Sequence, residues 1–283
     1  MSKKILVLGA TGTVGRPVVS GLVAKGEAVK AASRSGQQIE GAEATSFDFS
    51  KPETISAALE GVDRAYMLMP AGYLNVQELL LPFVQAAASR KVKVVFQSTI
   101  GVDAGDAIPY RQVEVALENS GTPYVILRPN WFSDNFHTFW KKGLDHGQIA
   151  LPAGDGKLSF IDVRDIAASA IAALTSTAFD GKVFNLNGPE ALSFADAAAI
   201  LSEVTGKPVR YTATSDETFI DMLKGGGVSA DYASFMASIF YPVRQGRIGA
   251  VTNDVATLTG KIPRTLRAYA QDNLAASPPF LRP

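Results

Sequence analysis

The 283-residue chain has no cysteine. That excludes disulfides, thiolate nucleophiles and cysteine-ligated metals. Histidine is scarce as well: only His137 and His146 occur, so a histidine-rich metal site is excluded and no metal is expected. Neither sign of charge is in excess, with 27 Lys plus Arg against 27 Asp plus Glu and a formal net charge of zero. That balance favours neither nucleic acid nor an anionic membrane as partner. No apolar run is long enough to span a bilayer, no signal peptide precedes the first strand, and repeats and charge blocks are missing. The expectation is a cytoplasmic globular protein acting on a small molecule, with its oligomeric state left open.

What is present is a core-forming composition, 47% hydrophobic against 19% charged, and a distinctive start. The apolar run Lys4-Ile5-Leu6-Val7-Leu8 breaks into Gly9-Ala10-Thr11-Gly12-Thr13-Val14-Gly15, and apolar residues resume at helical spacing from Pro17. This predicts a buried strand, a tight turn and a helix. Gly9 lets the chain turn, Gly12 lets the backbone approach a pyrophosphate, and Gly15 lets the helix pack close to the strand. Phosphates then meet free N–H groups at the positive end of the helix dipole. Gly9, Thr11, Gly12, Thr13, Val14 and Gly15 are therefore the candidate phosphate contacts. The spacing is G-x-x-G-x-x-G, and with Ala10-Thr11 inside it the motif resembles the short-chain dehydrogenase/reductase superfamily.

Glu27–Arg34, Ala44–Phe49, Asp63–Met69, Val92–Thr99, Pro123–Arg128 and Lys182–Asn187 read as further strands separated by helical stretches. The expected fold class is α/β, a Rossmann-type doubly wound parallel sheet with a smaller, mostly helical C-terminal substrate domain. The division is drawn at residues 1–155 for the dinucleotide-binding part and 156–283 for the last core elements and the substrate lobe. Ser50-Lys51-Pro52-Glu53 reads as a capping box, Gly143–Gly156 as a loop, and Ser193 as the cap of a helix. Gly225-Gly226-Gly227 is either a plain loop or a hinge.

Ser33-Arg34 stands after the second strand, where an acidic residue would bind the 2′-hydroxyl of NAD. Arg34 either meets the 2′-phosphate of NADP or is a solvated surface arginine; NADP is the expected cofactor, with NAD possible. Asp48 is either an adenine contact or an ordinary loop carboxylate. Met69 and Pro70 are candidates to flank the cofactor at the carboxyl end of the fourth strand. Ser98, at the end of the fifth, where this superfamily carries catalytic hydroxyls, is a candidate catalytic and cofactor-binding residue, and Pro129, just after the sixth, is a candidate cofactor contact.

Tyr110, the helix that follows it, Ser120-Gly121 and Leu127-Arg128-Pro129 carry a finer resemblance. They are similar to the atypical, NmrA-like branch of the superfamily, which includes quinone oxidoreductase type 2, triphenylmethane reductases and festuclavine-type dehydrogenases. One departure matters. A standard member pairs its tyrosine with a lysine four residues on, and here Glu114 holds that place. A carboxylate disfavours a phenolate, so Tyr110 is a candidate proton donor rather than a base. Asn130 is a candidate for orienting substrate or cofactor. Trp131, Phe132 and Phe136 line either an apolar substrate pocket or a core face, and His137 among them reads as structural. The resemblance implies an NADP(H)-dependent oxidoreductase passing hydride to a planar, apolar or aromatic electrophile of quinone, dye or cyclic imine type. It also implies an alternative, a dinucleotide-binding redox sensor without turnover, for which the missing lysine is expected.

Overall fold

The computed structural model describes residues 3–275. Its elements fall into two compact units, and the first is assembled from three stretches: the chain up to Pro129, Val163–Leu186 and Asn253–Lys261. The first stretch alternates as expected for crossovers: β1 (Lys4–Leu8), α1 (Gly15–Ala24), β2 (Val29–Ser33), β3 (Glu43–Ser46), α2 (Glu53–Ala58), β4 (Val62–Leu68), α3 (Val76–Ser89), β5 (Lys93–Gln97), α4 (Pro109–Glu118) and β6 (Tyr124–Pro129). The chain then enters the second unit with α5 (Lys141–Asp145), β7 (Gln148–Leu151) and β8 (Lys157–Leu158). It returns to lay down α6 (Val163–Thr175) and β9 (Lys182–Leu186). Next come β10 (Leu192–Ser193), α7 (Phe194–Thr205), β11 (Arg210–Ala213), α8 (Asp216–Gly225), α9 (Ala230–Ser238) and α10 (Tyr241–Arg244) in the second unit. Then α11 (Asp254–Thr259) belongs to the first unit and α12 (Leu266–Asn273) to the second.

The first unit is a seven-stranded parallel sheet in the order β3-β2-β1-β4-β5-β6-β9. Strand order reverses between β1 and β4, which is where such sheets bind ligands beyond their carboxyl ends. The inner strands are buried on both faces, the edge strands β3 and β9 less so, and the pleat sends alternate residues to opposite sides. Leu6 and Leu8 of β1, Ala65 and Met67 of β4, and Val94 and Phe96 of β5 join one apolar cluster with Leu80, Phe83 and Val84 of α3 and Val113 and Leu117 of α4. On the other face α1 packs on α6, and α6 runs over β4, β5 and β6. Two buried lysines lie within this sheet, each neutralising a helix end. Lys30 Nζ donates to the carbonyl of Ala57 at 2.7 Å, and Lys93 Nζ to that of Ser176, just past α6, at 2.6 Å.

Three sequence expectations are corrected here. The division at 155/156 differs from the two units in where the first is left: the chain enters the second unit at Asn130, before α6 and β9 return it to the sheet beside β6. The capping box at Ser50 is absent: Ser50 donates both its N–H, at 2.9 Å, and its hydroxyl, at 2.7 Å, to Asp48 Oδ1, and α2 opens behind Pro52 with no side-chain cap. The span 143–156 is not loop throughout. It holds the end of α5 and all of β7, whose parallel partner β11 arrives much later in the chain.

The second unit is mostly helical. Besides β7 with β11 it has an antiparallel pair, β8 with β10, and an isolated bridge between Phe132 and Ile161. Ser193 caps α7 as expected, in a capping box closed by Asp196. Among the described residues, no helix is long and apolar enough to cross a membrane.

Candidate functional site

The glycine turn in the first unit is shaped by two positions. Gly9 has φ +64°, the left-handed region that side chains avoid. Gly15 opens α1 so close to the strand that a Cβ there would stand 2.1 Å from the Gly9 carbonyl oxygen. No side chain caps α1, and its first turn carries no acidic residue. The Arg16 N–H is taken by the Gly12 carbonyl at 3.0 Å and Pro17 has none, so the N–H groups of Thr13, Val14 and Gly15 and the positive end of the dipole are what can meet an anion. Gly12 and Thr13 are exposed and Thr11 is half-buried. The Val14 side chain is buried, so only its backbone can meet a ligand. The cradle suits a diphosphate.

At the end of β2, the Ser33 hydroxyl accepts the N–H of Gln37 at 2.9 Å. Arg34 next to it is exposed and makes no ion pair among the described residues. Asp48 stays ionised: hydrogen bonds from Ser50 hold its carboxyl below the ordinary carboxylate range, helped by the charges of Lys51 and Arg34. Arg34 and Asp48 thus share one corner of the sheet's carboxyl edge. An exposed cation with no ion pair among the described residues at that place fits a 2′-phosphate.

Ser98 follows β5 directly. It is 4% exposed, its N–H donates to the Leu127 carbonyl at 2.8 Å, and its hydroxyl oxygen has no hydrogen-bond partner. An orphaned buried hydroxyl is costly and points to a function. Pro129 is the last residue of β6, and its carbonyl accepts the Ile100 N–H at 3.2 Å. Pro70 is exposed. Met69 is not free to flank a ligand: its side chain is buried in the apolar cluster under α3.

Tyr110 sits in the first turn of α4 with its ring stacked on Phe96, centroids 6.2 Å apart. One turn on, Glu114 is wholly buried. Arg128 of β6 grips it with two hydrogen bonds, Nε to Oε1 at 2.9 Å and Nη2 to Oε2 at 2.6 Å. Arg111 adds a third from its own helix at 2.9 Å, and Arg128 also reaches Asp103 at 2.9 Å. Burial disfavours the Arg128 charge, but the carboxylate of Glu114 keeps the guanidinium above its ordinary value. Glu114 is therefore no bare negative charge beside Tyr110. The place of the standard lysine is taken by a clamp between α4 and β6, a role that spacing along the chain does not reveal.

In the second unit the aromatic run resolves residue by residue. Phe136 is fully buried against Trp140 and Phe160, with centroids 4.9 and 5.2 Å away, so it belongs to the core and not to a substrate pocket. Asn130 is corrected too. It is 2% exposed, and its amide donates to Asn187 Oδ1 at 3.0 Å and the Ile248 carbonyl at 2.8 Å while accepting the Trp131 N–H at 2.8 Å. Those bonds hold loops together and leave nothing to orient a ligand. Trp131 and Phe132 are half-buried, with Trp131 stacked on Trp140 at 5.8 Å and leaning on Phe240 at 4.7 Å. His137 bonds to the Tyr269 hydroxyl, the structural role expected of it. Among the described residues no group of three or more His, Asp or Glu could hold a metal.

The sequence reading passed over Gln97, the last residue of β5, whose side chain bonds to the buried Tyr66. A polar residue ending a buried strand was the only signal.

Comparison with known proteins agrees with this architecture. The profile of the NmrA-like family matches residues 1–241. The chain is 33% identical to an uncharacterized oxidoreductase, YesF, of Bacillus subtilis over 273 residues, covering 96% of this chain and 95% of that one. It is 31% identical to the NAD(P)H azoreductase of Xenophilus azovorans, covering 96% and 98%. Among solved structures, the NADPH-dependent quinone oxidoreductase QOR2 of Escherichia coli, complexed with NADPH, superposes with a TM-score of 0.84 at 25% identity, covering 95% of this chain and 99% of that one. With a family match over most of its length and an α/β sheet of the same kind, the chain belongs to the NmrA-like family.

Proposed function

We propose that this protein is an NADP(H)-dependent reductase that passes hydride to a planar, apolar or aromatic electrophile of quinone, dye or cyclic imine type. The single observation that carries the reading is the pairing of an uncapped, acid-free α1 N-terminus with an exposed Arg34 at the end of β2 that makes no ion pair among the described residues. The first suits a diphosphate and the second a 2′-phosphate. The relatives support it, since one is named for NAD(P)H-dependent azo reduction and another is a quinone oxidoreductase solved with NADPH. The bound dinucleotide supplies the hydride, and the chain supplies position.

In this reading Gly12, Thr13 and the backbone of Val14 and Gly15 hold the diphosphate, and Arg34 the 2′-phosphate. Ser98 donates its hydroxyl to the reacting end, since no protein group claims it. Tyr110 donates a proton from the neutral phenol, because no lysine stands one turn on to favour the phenolate.

The test is NADPH oxidation followed by absorbance across quinones, azo and triarylmethane dyes and cyclic imines. Turnover with one of these classes supports the reductase. A second reading, a dinucleotide-binding regulator without turnover, is favoured by Glu114 standing in place of the lysine. Tight NADPH binding with no turnover on any acceptor would select it.

A further inference from the structure

The carboxyl end of β5 holds a second polar side chain besides Ser98. Gln97 is half-buried, and its register partner on β4 is Leu68. Leu68 is the residue under the glycine turn: a Cβ on Gly9 would lie 3.2 Å from Leu68 Cδ1. Because neighbouring residues in register share a face of the sheet, Gln97 lies on the α1 side, one strand beyond the support of that turn. Tyr66 stands two residues before Leu68 on the same face and is fully buried. Its hydroxyl donates to Gln97 Oε1, across the diagonal between the strands. Burial pushes the Tyr66 phenol above its ordinary value, which favours the protonated form that donates. With Oε1 held from below, the other end of the carboxamide, Nε2, is left as two N–H donors at the open edge of the strand.

We infer that Gln97 is a cofactor contact, its amide N–H group aimed by Tyr66 at an acceptor oxygen on the nicotinamide half of the dinucleotide. The position decides which half. Arg34 and Asp48 mark the adenine side beyond β2 and β3, the glycine turn after β1 takes the diphosphate, and β5 lies on the opposite side of that turn. Gln97 contacts the ligand, and Tyr66 acts through Gln97 as a positioning residue. The inference rests on the proposed dinucleotide binding.

The experiment is calorimetric titration of the full chain with NADP+ and with 2′,5′-ADP, which lacks the nicotinamide half. Loss of one such hydrogen bond weakens NADP+ about tenfold in Gln97→Ala and leaves 2′,5′-ADP unchanged. Gln97→Glu keeps the acceptor for Tyr66 but has no N–H, so it loses as much as Gln97→Ala. Tyr66→Phe keeps the amide but frees it to rotate, and weakens NADP+ by a smaller factor, again sparing 2′,5′-ADP. Equal loss for both ligands, or no loss for either, would overturn the contact. Full affinity in Gln97→Glu would overturn the donor role, and full affinity in Tyr66→Phe the aiming role. If the unaltered chain binds neither ligand, the dinucleotide reading itself fails, an outcome distinct from all of these.

Discussion

Arg128 and Glu114 form a buried bidentate ion pair, joining the end of β6 to the middle of α4. It occupies the position at which a standard short-chain dehydrogenase carries its lysine, and it converts a site position into a packing element. Removing Glu114 leaves the buried Arg128 with only the exposed Asp103 to offset its charge. Glu114→Ala should therefore cost about 3–5 kcal/mol in urea denaturation. Replacing both, as Glu114→Leu with Arg128→Met, should recover most of that loss. Glu114→Lys restores the tyrosine–lysine spacing on paper, yet it sets a third cation against Arg111 and Arg128, and the expected result is a protein less stable than Glu114→Ala.

The two glycines of the turn separate stability from binding. Gly15→Ala drives a Cβ to 2.1 Å from a backbone oxygen, so α1 must shift off β1. The expected cost is about 1–3 kcal/mol together with weaker NADPH binding. A Cβ on Gly12 meets only the Gly9 oxygen, at 3.2 Å. Gly12→Ala should thus fold nearly as well as the parent while weakening NADPH in a fluorescence titration.

Arg34 should set the choice of dinucleotide. Arg34→Glu loses a charge-assisted bond and gains a repulsion, so NADPH affinity should fall about 10- to 100-fold. NADH affinity should hold or improve. Equal losses for the two would show that Arg34 does not meet the 2′-phosphate.

The capping box of α7 should write itself into the acid limb of the stability curve. Asp196 is held below its ordinary carboxyl value by the Ser193 N–H and then by the Ser193 hydroxyl. Folding therefore favours the ionised form. The stability this gives is fully present above the unfolded carboxyl value, near 3.8, and is lost as pH falls below it through the folded value. Asp196→Asn should flatten that part of a denaturation series, and Ser193→Ala should cost about 1 kcal/mol at neutral pH.

Local chemistry already decided a large part of this protein. Only a glycine adopts φ +64° at position 9 without strain, and only hydrogen fits at position 15, so the strand–turn–helix was legible from one short stretch. Alternating strand and helix patterns then force parallel crossovers, and the absence of an acid after β2 is likewise a local fact. Other features depend on residues far apart in sequence, which periodicity cannot pair. Phe136 looked like a pocket wall until Phe160 packed on it, and Asn130 like a ligand contact until Asn187 and Ile248 took its amide. Glu114 read as an obstacle to Tyr110 until the fold brought Arg128 to it. Gln97 carried only the signal of a polar residue ending a buried strand until Tyr66 lay beneath it. A side chain's type is written in the chain, but whether it is free to meet a ligand depends on partners that only tertiary structure brings within hydrogen-bond reach.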